Sequence, residues 1–231
     1  MSKNYLVVGA SSGIGEAVAK QLLVEGHVVF SASRNQPSLE GVSHVHWDAS
    51  QPDASAFVGL PDVLHGLVYC PGTINLKPIN RLSLDDFKND FQINVVGAVA
   101  VVQAVLPKLK KAEGASIVFF STVASKIGMG FHASVAASKG AVEGLTKSLA
   151  AELASNQVRV NCVAPSLTDT PLAKNLLSTD EKRDASNKRH PLGRVGNAGD
   201  IASIASFLLG EASSWTTGQI IGVDGGMGSI K

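Results

Sequence analysis

Residues 5–25 read YLVVGASSGIGEAVAKQLLVE, an apolar run of strand length that passes through three glycines into a segment with helical periodicity. Glycines at such a point let the chain turn tightly. They also let backbone N–H groups approach a bound phosphate, whose charge the N-terminus of the helix stabilises. A glycine pattern alone is weak evidence, because turns favour glycine anyway. Directly after a strand and before a helix, it predicts a phosphate-binding turn.

Six further apolar runs of strand length follow, rich in Val, Ile and Phe and nearly continuous rather than alternating. This pattern is typical of strands that are buried on both faces of a parallel sheet. The runs begin at His27, His44, Gly66, Ser116, Val158 and Gln219. Helix-period segments lie between them, at 13–25, 83–111, 132–153 and 200–209. The alternation predicts a single α/β domain over residues 1–231, with a doubly wound parallel sheet of about seven strands and helices on both faces.

The composition argues against several classes of partner. The 231 residues carry 20 basic and 19 acidic side chains, and a net charge of +1 creates no field that would favour nucleic acid or an anionic membrane. The first ten residues fit neither a signal peptide nor a membrane span. Cys70 and Cys162 both lie in apolar runs, which favours buried thiols over a disulfide. We therefore expect a cytoplasmic protein with a small-molecule partner and no metal site.

The longest polar stretch of the chain is residues 169–194, which is highly charged and only weakly helical in its periodicity. A segment of this length inside a compact domain is more often a mobile lid or a binding loop than filler. Leu172, Leu176 and Leu177 stand among its charges. They predict an apolar pocket beneath a solvated cover.

With these features the whole chain resembles the short-chain dehydrogenases/reductases. The glycine motif of that family is spaced Gly-x-x-x-Gly-x-Gly, as at Gly9, Gly13 and Gly15. The segments PLGRVGNAGDIASIASFLLG and GQIIGVDGG, between Pro191 and Gly226, are similar to its C-terminal signature. The resemblance implies a Rossmann-type fold and an oxidoreductase that uses a nicotinamide cofactor.

The resemblance also implies which residues hold the cofactor. They are the loop residues Gly9, Ser11, Ser12, Gly13, Ile14 and Gly15, the adenine-contacting Asp48 with Ala49, Cys70 and Gly72 after the fourth strand, the nicotinamide motif with Pro165, Ser166, Thr168 and Thr170, and Lys139. The chain departs from the family pattern at Cys70, which replaces an asparagine, and at Ser166, which replaces a glycine. Gly72 keeps the close backbone approach, whereas the thiol of Cys70 is a weaker hydrogen-bond donor than an amide.

The end of the second strand predicts the choice of cofactor. An acidic residue there would bind the ribose 2′-hydroxyl of NAD, and a basic residue would accept the 2′-phosphate of NADP. The residues are Ser31-Ala32-Ser33-Arg34, without an acid. NADP(H) is therefore favoured, with Ser33 and Arg34 as the phosphate pair, and NAD(H) stays possible. The alternative is that Arg34 is a solvated loop residue. A second basic residue, which many NADP-preferring relatives carry at the position of Ser12, is absent.

The family reduces carbonyls with a serine, a tyrosine and a lysine, the last two spaced Tyr-x-x-x-Lys on one helix. This spacing puts both side chains on one face, where the charge of the lysine lowers the pKa of the tyrosine. Here the segment reads Val135-Ala136-Ala137-Ser138-Lys139, so valine stands at the position of the tyrosine. Thr122 aligns with the serine, and Asn94 with the structural and catalytic asparagine of the family.

Several residues could replace the missing acid. His132 precedes Val135 by three residues and titrates near neutrality, so it could donate a proton, although a capping or substrate-lining histidine fits equally well. Lys139 could donate a proton directly or through water. It could also be a surface lysine that snorkels, or serve only to bind the nicotinamide ribose. We expect Ser134 to cap the N-terminus of the helix.

Three functions follow from these residues. The first is an NADP-dependent oxidoreductase that acts on a small carbonyl, alcohol or activated C=C substrate with an altered proton donor. The second is a cofactor-binding protein with little turnover, such as a sensor or an inactive partner subunit. The third is a non-redox elimination or isomerisation on the same scaffold. Loss of one general acid typically removes about 10²–10⁴ in rate and not all activity, which favours the first function.

The helices predicted at 94–111 and 132–153 are apolar over more of their circumference than a half-exposed helix needs. Relatives in the family commonly pair these two helices between subunits. The sequence therefore predicts a homodimer or homotetramer.

Overall fold

The computed structural model describes residues 2–230 and contains nine strands among them. These are β1 (Asn4–Val8), β2 (Val28–Ser33), β3 (Val42–His46), β4 (Gly66–Tyr69), β5 (Ser116–Phe120), β6 (Arg159–Pro165), β7 (Thr168–Asp169), β8 (Gly196–Asn197) and β9 (Ile220–Val223). Seven of them form one parallel sheet in the order β3-β2-β1-β4-β5-β6-β9, while β7 and β8 pair separately. The predicted α/β fold with a seven-stranded parallel sheet is confirmed.

Helices cover both faces of the main sheet. They are α1 (Gly13–Val24), α2 (Leu84–Phe91), α3 (Gly97–Lys110), α4 (Ala124–Ile127), α5 (Ala133–Leu153), α6 (Asp180–Lys188) and α7 (Ala198–Leu209). Alternate residues of β1 serve two separate cores: Leu6 and Val8 pack in the cluster that includes α3 and α5, whereas Tyr5 and Val7 pack in the cluster of α1 and α7. Burial on both faces explains why the strands read as continuous apolar runs.

The helices predicted at 13–25, 132–153 and 200–209 begin and end within two residues of the observed bounds, but one predicted cap is wrong. Ser83 forms a capping box with Asp86 at the start of α2. The expectation that Ser134 caps α5 is wrong, because His132 occupies the N-cap position and Ser134 lies inside the first turn. The hydroxyl of Ser134 points to α2 and donates a hydrogen bond of 2.6 Å to the buried carboxylate of Asp90. It therefore ties α5 to α2.

The segment predicted as one helix from 83 to 111 contains a π-helical turn, Gln92–Val96, between α2 and α3. The continuous stretch Leu84–Lys110 is long and apolar enough to cross a membrane by length and composition, and 44% of its most apolar window is buried. Its α3 part contributes Val101, Val105 and Leu109 to the core against the sheet. Core packing accounts for this apolar character.

The segment 169–194 is more helical than its sequence suggests. It contains a 3₁₀ helix, Pro171–Leu177, followed by α6. The strands β7 and β8, which flank the segment, pair with each other and hold its two ends together. Within the segment, the guanidinium of Arg183 lies 2.7 Å from the carboxylate of Asp169. Of the three leucines predicted to form an apolar pocket, Leu172 and Leu176 line a cavity beneath the segment, whereas Leu177 is buried and does not line it.

Candidate active site

A cavity of ≈ 330 Å³ lies at the carboxyl ends of β1, β2 and β4. This is the edge at which open α/β sheets bind their ligands. Its lining includes most of the predicted cofactor residues: Gly9, Ser11, Ser12, Gly13, Ile14, Gly15, Ser33, Arg34, Asp48, Ala49, Cys70, Gly72 and Thr170. We refer to it as the cofactor cavity.

The glycine turn of the cofactor cavity fits a dinucleotide pyrophosphate. Gly9 and Gly13 have φ of 83° and 58°, which other residues adopt only with strain. A Cβ at Gly15 would overlap the carbonyl oxygen of Gly9, so α1 can approach β1 this closely only with glycine at that position. Ser12 at the N-cap of α1 makes no side-chain bond to the first turn, which leaves the first amides of the helix for an anion.

The adenosine end of the cofactor cavity is built from the ends of β2 and β3. Ser33 and Arg34 line it, and the hydroxyl of Ser33 donates to the carbonyl of Asn35 at 2.8 Å. The backbone N–H of Ser50 donates to Asp48 at 2.9 Å and holds the pKa of that carboxyl below its usual range. Among the described residues that line the cavity, Asp48 is the one carboxylate, and none follows β2 directly. Trp47, which was not predicted from the sequence, also lines this cavity.

A second cavity, of ≈ 280 Å³, adjoins the first. We call it the substrate cavity. The two cavities share the residues Ile14, Cys70, Gly72, Thr170 and Leu172. The predicted cofactor residues Pro165, Ser166, Thr168 and Lys139 lie against the substrate cavity and do not line the cofactor cavity. Pro165, Ser166 and Thr168 lie at or just after the carboxyl end of β6, and Lys139 lies on α5. In the sheet, β6 is separated from β4 by β5.

Lys139 and Val135 face the substrate cavity from successive turns of α5. Lys139 is only 8% exposed, which excludes a snorkelling surface lysine. Its Nζ donates to the carbonyl of Phe120 at 2.9 Å, and burial lowers the pKa of the ammonium to about 8. A Cβ at Gly72 would lie 3.3 Å from this Nζ, so the glycine keeps the space in front of the lysine open. Val135 adds methyl groups and no exchangeable proton.

Asn94 lies in the π-helical turn behind Gly72 and lines neither cavity. Its Nδ2 donates to the hydroxyls of Ser138 at 2.9 Å and Thr73 at 3.2 Å. Its Oδ1 is buried and has no hydrogen-bond partner among the described residues. A buried carbonyl without a partner is uncommon and costly, which is consistent with a role completed by water or a ligand.

The hydroxyl residues beside Lys139 have different partners. Ser121 and Ser125 both donate to the same carboxylate oxygen of Glu143, each at 2.5 Å. Thr122 lines the substrate cavity, where its oxygen accepts a 3.3 Å bond from the backbone N–H of Ala124. The Thr122 hydroxyl hydrogen is therefore available to a substrate. Thr122 is better placed than Ser121 to contact a substrate oxygen.

His132 lines the substrate cavity near the start of α5. Its side chain makes no bond to the helix amides, and its Nδ1 lies 2.6 Å from the carbonyl oxygen of Gly130. The capping alternative is therefore excluded, whereas substrate lining and proton donation both fit this position.

Both cysteines are free thiols. Cys162 is buried, and Cys70 is partly exposed because it lines both cavities. Burial raises the pKa of each thiol to about 12. At neutral pH both are therefore protonated and unreactive.

A buried histidine that the sequence analysis did not single out completes the substrate cavity. His190 follows α6 and is 3% exposed. Its Nε2 lies 2.8 Å from Oγ of Ser166, and its Nδ1 lies 2.8 Å from the carbonyl oxygen of Ser186. The only signal in the sequence was the serine at position 166, where the family pattern has glycine.

Comparison with known proteins agrees with this geometry. The protein family described as "Enoyl-(Acyl carrier protein) reductase" matches residues 9–228. A tropinone reductase homologue of Arabidopsis thaliana is 37% identical over 244 residues, which cover 97% of this chain and 91% of that protein. The chain belongs to the short-chain dehydrogenase/reductase family. The 3-oxoacyl-[acyl-carrier-protein] reductase MabA of Mycobacterium tuberculosis is 32% identical over 99% of this chain and 94% of its own length.

Solved structures of short-chain dehydrogenases/reductases share the whole fold. The ligand-free aldohexose dehydrogenase of Thermoplasma acidophilum has a TM-score of 0.91 and 29% identity, over 98% of this chain and 94% of that one. The RhlG/NADP active-site complex of Pseudomonas aeruginosa has a TM-score of 0.92 and 26% identity, over 98% and 96% of the two chains. The protein is thus an oxidoreductase of an NAD(P)-binding family.

Proposed function

We propose that this short-chain dehydrogenase/reductase is NADP(H)-dependent and oxidises or reduces a small alcohol, carbonyl or activated C=C substrate with a proton donor other than tyrosine. The observation that carries the proposal is that Val135 and Lys139 face one cavity that shares a wall with the cofactor cavity. The positive charge of Lys139 would stabilise negative charge that develops on a substrate oxygen. Val135, at the position of the family tyrosine, has no proton to give.

The residues of the two cavities divide the work of such an enzyme. The glycine turn and the start of α1 would hold the pyrophosphate, and Ser33 and Arg34 would hold the 2′-phosphate. The bound nicotinamide supplies or accepts the hydride. The hydroxyl of Thr122 would orient the substrate oxygen. Lys139, whose Nζ is held by the Phe120 carbonyl, would bind the nicotinamide ribose and stabilise charge at the reaction centre.

The relatives support a carbonyl or C=C substrate. They include a 3-oxoacyl reductase and an aldohexose dehydrogenase, and the matching family is described as an enoyl reductase. Apolar side chains including Ile74, Leu76 and Leu176 line the substrate cavity. These contacts favour a substrate with an apolar body.

Arg34→Asp is expected to reverse the preference for NADPH over NADH by about 100-fold, because it replaces a positive partner of the 2′-phosphate with a negative charge. Titration of the protein fluorescence with each cofactor measures both dissociation constants. Arg81→Asp, which removes an exposed arginine outside both cavities, serves as the control for net charge. Tighter binding of NADH than NADPH by the unaltered protein would contradict the proposed cofactor preference.

A panel of ketones, aldehydes and enones, followed by nicotinamide absorbance, tests the activity itself. The second candidate function is a cofactor-binding protein with little turnover, and the methyl surface of Val135 in the substrate cavity favours it. NADPH binding without turnover of any panel member, followed by activity in Val135→Tyr, would establish this second function. Turnover without a change in absorbance would indicate non-redox chemistry.

We also propose that the protein forms a homodimer or homotetramer in the cytoplasm. A groove between α2 and the start of α5 is lined by Phe87, Phe91 and Val96, and Phe91 is 45% exposed. Apolar side chains in such a groove favour burial against a second copy. Gel filtration is expected to give a mass of two or four chains, and Phe91→Lys is expected to lower it. A monomer at micromolar concentration would contradict the proposal.

A further inference from the structure

The contacts of His190 fix the roles of its two ring nitrogens. A carbonyl oxygen can only accept a hydrogen bond, so the nitrogen that faces Ser186 O carries a hydrogen. The neutral ring then has Nε2 as its acceptor, and Nε2 lies 2.8 Å from the Ser166 hydroxyl. This arrangement is a hydroxyl bonded to a base that is itself oriented by a third group.

The backbone holds this pair firmly. Ser166 follows β6, and its carbonyl accepts from the hydroxyl of Thr168 at 3.1 Å. The backbone N–H of His190 donates to the carbonyl of Asn187 at 3.0 Å, and a Cβ at Gly225 would lie 3.5 Å from the His190 ring. The imidazole is therefore packed between the end of α6 and the turn after β9. Both members of the pair line the substrate cavity.

Other polar side chains of the substrate cavity differ from this pair. The hydroxyl of Ser121 is directed to Glu143, which already accepts from Ser125. Thr122 makes no hydrogen bond to a titratable side chain among the described residues, and its oxygen accepts from the backbone N–H of Ala124. Ser166 combines a hydroxyl on the cavity wall with direct hydrogen bonding to a titratable ring, so a proton that it gives or takes can be exchanged with that ring.

We propose that Ser166 and His190 form the proton-transfer pair of the substrate cavity. This proposal rests on the oxidoreductase function proposed above. In alcohol oxidation, the substrate hydroxyl proton passes to Ser166 Oγ while the Ser166 hydroxyl proton passes to His190 Nε2. The substrate carbon would lose a hydride, which a bound nicotinamide would accept, and its C–O bond would become C=O. In reduction, the imidazolium returns a proton to Ser166 Oγ, which protonates the carbonyl oxygen as the hydride arrives.

The first test introduces Ser166→Gly, the residue of the family pattern. We expect kcat to fall by about 10². The double variant Ser166→Gly with Val135→Tyr, which restores the proton donor of the family, is expected to recover kcat to within about tenfold. A folding defect would not be repaired in this way. Ser178→Gly, which lies in the segment 169–194 and outside the cavity, is the control.

Two outcomes of the kinetic test overturn the pair: kcat unchanged in Ser166→Gly, or no recovery in the double variant. His190→Asn is expected to lower kcat as much as Ser166→Gly, and combining the two should cost no more than either alone, because the residues act as a unit. Additive losses would contradict the proposal. If the unaltered enzyme turns over no substrate, the proposed function fails first, and the pair must be tested without turnover.

That independent readout is ¹⁵N NMR of the full-length protein labelled at histidine. We expect His190 to carry its hydrogen on Nδ1 and the Nε2 resonance to move in Ser166→Gly, with the resonances of His132 as an internal reference. A hydrogen on Nε2 of the neutral ring, or an Nε2 resonance that Ser166→Gly leaves in place, would overturn the pair whether or not a substrate is known.

Discussion

Between pH 8 and pH 10.5, the free energy of unfolding of the unaltered protein is expected to rise by about 3 kcal/mol relative to that of Lys139→Met. Burial lowers the pKa of the Lys139 ammonium from 10.5 to about 8 in the folded protein. Between these two values the unfolded chain binds more protons than the folded protein does. The free energy of unfolding of the unaltered protein therefore gains a contribution from Lys139 as pH rises, and the methionine variant lacks it.

Urea unfolding of both proteins at intervals from pH 7.5 to pH 10.5 measures this difference. Cys70 and Cys162 act in the opposite direction above about pH 9, because burial raises the pKa of both thiols to about 12. The charge of Lys139 lowers the pKa of both thiols, so their contributions differ between the two proteins, and the difference is taken from the curves below about pH 9, before the thiols titrate. Lys147→Met removes an exposed lysine from the same helix and is the control for lost charge. Parallel curves of the free energy of unfolding against pH for the unaltered protein and Lys139→Met would show that folding does not lower the pKa of Lys139.

Gly15→Ala is expected to destabilise the protein by about 3 kcal/mol and to abolish measurable NADPH binding. The new Cβ would overlap the backbone carbonyl of Gly9, and a backbone atom cannot rotate away as the end of a side chain can. Relief of the overlap must move α1 away from β1, and with it the amides that would hold the pyrophosphate.

Urea unfolding and NADPH titration measure the two effects of Gly15→Ala separately. The matched control is Gly59→Ala, since a Cβ at exposed Gly59 meets nothing within 4 Å. The control is expected to retain both stability and NADPH affinity. An alanine at position 15 that also retained both would show that the turn adapts without moving α1.

The fold was predictable because local signals and burial agree. The apolar run predicted to begin at Ser116 is the strand Ser116–Phe120, and all five residues are buried, as a continuous apolar run requires. Ser83 and Asp86 form a capping box at the start of the segment predicted as helical from residue 83. The glycine turn and Arg34 line the cofactor cavity. Each of these features depends on neighbours within a few positions of the chain.

The features that were not predictable depend on contacts between distant segments. The π-helical turn at Gln92–Val96 interrupts a periodic apolar pattern that favours a regular helix. Ser134 has a good capping residue type, but its hydroxyl binds Asp90 across 44 positions. Ser166 and His190 meet across 24 positions because α6 brings one to the end of the strand that precedes the other. No local pattern encodes such a meeting.

The wall between the two cavities links the two ligands thermodynamically. Thr170 and Leu172 line both cavities, so a displacement of either by one ligand changes the surface offered to the other. Any factor by which the cofactor changes the affinity for the substrate must equal the factor by which the substrate changes the affinity for the cofactor. A substrate analogue can therefore be detected without turnover, from the change that it produces in the dissociation constant of NADPH.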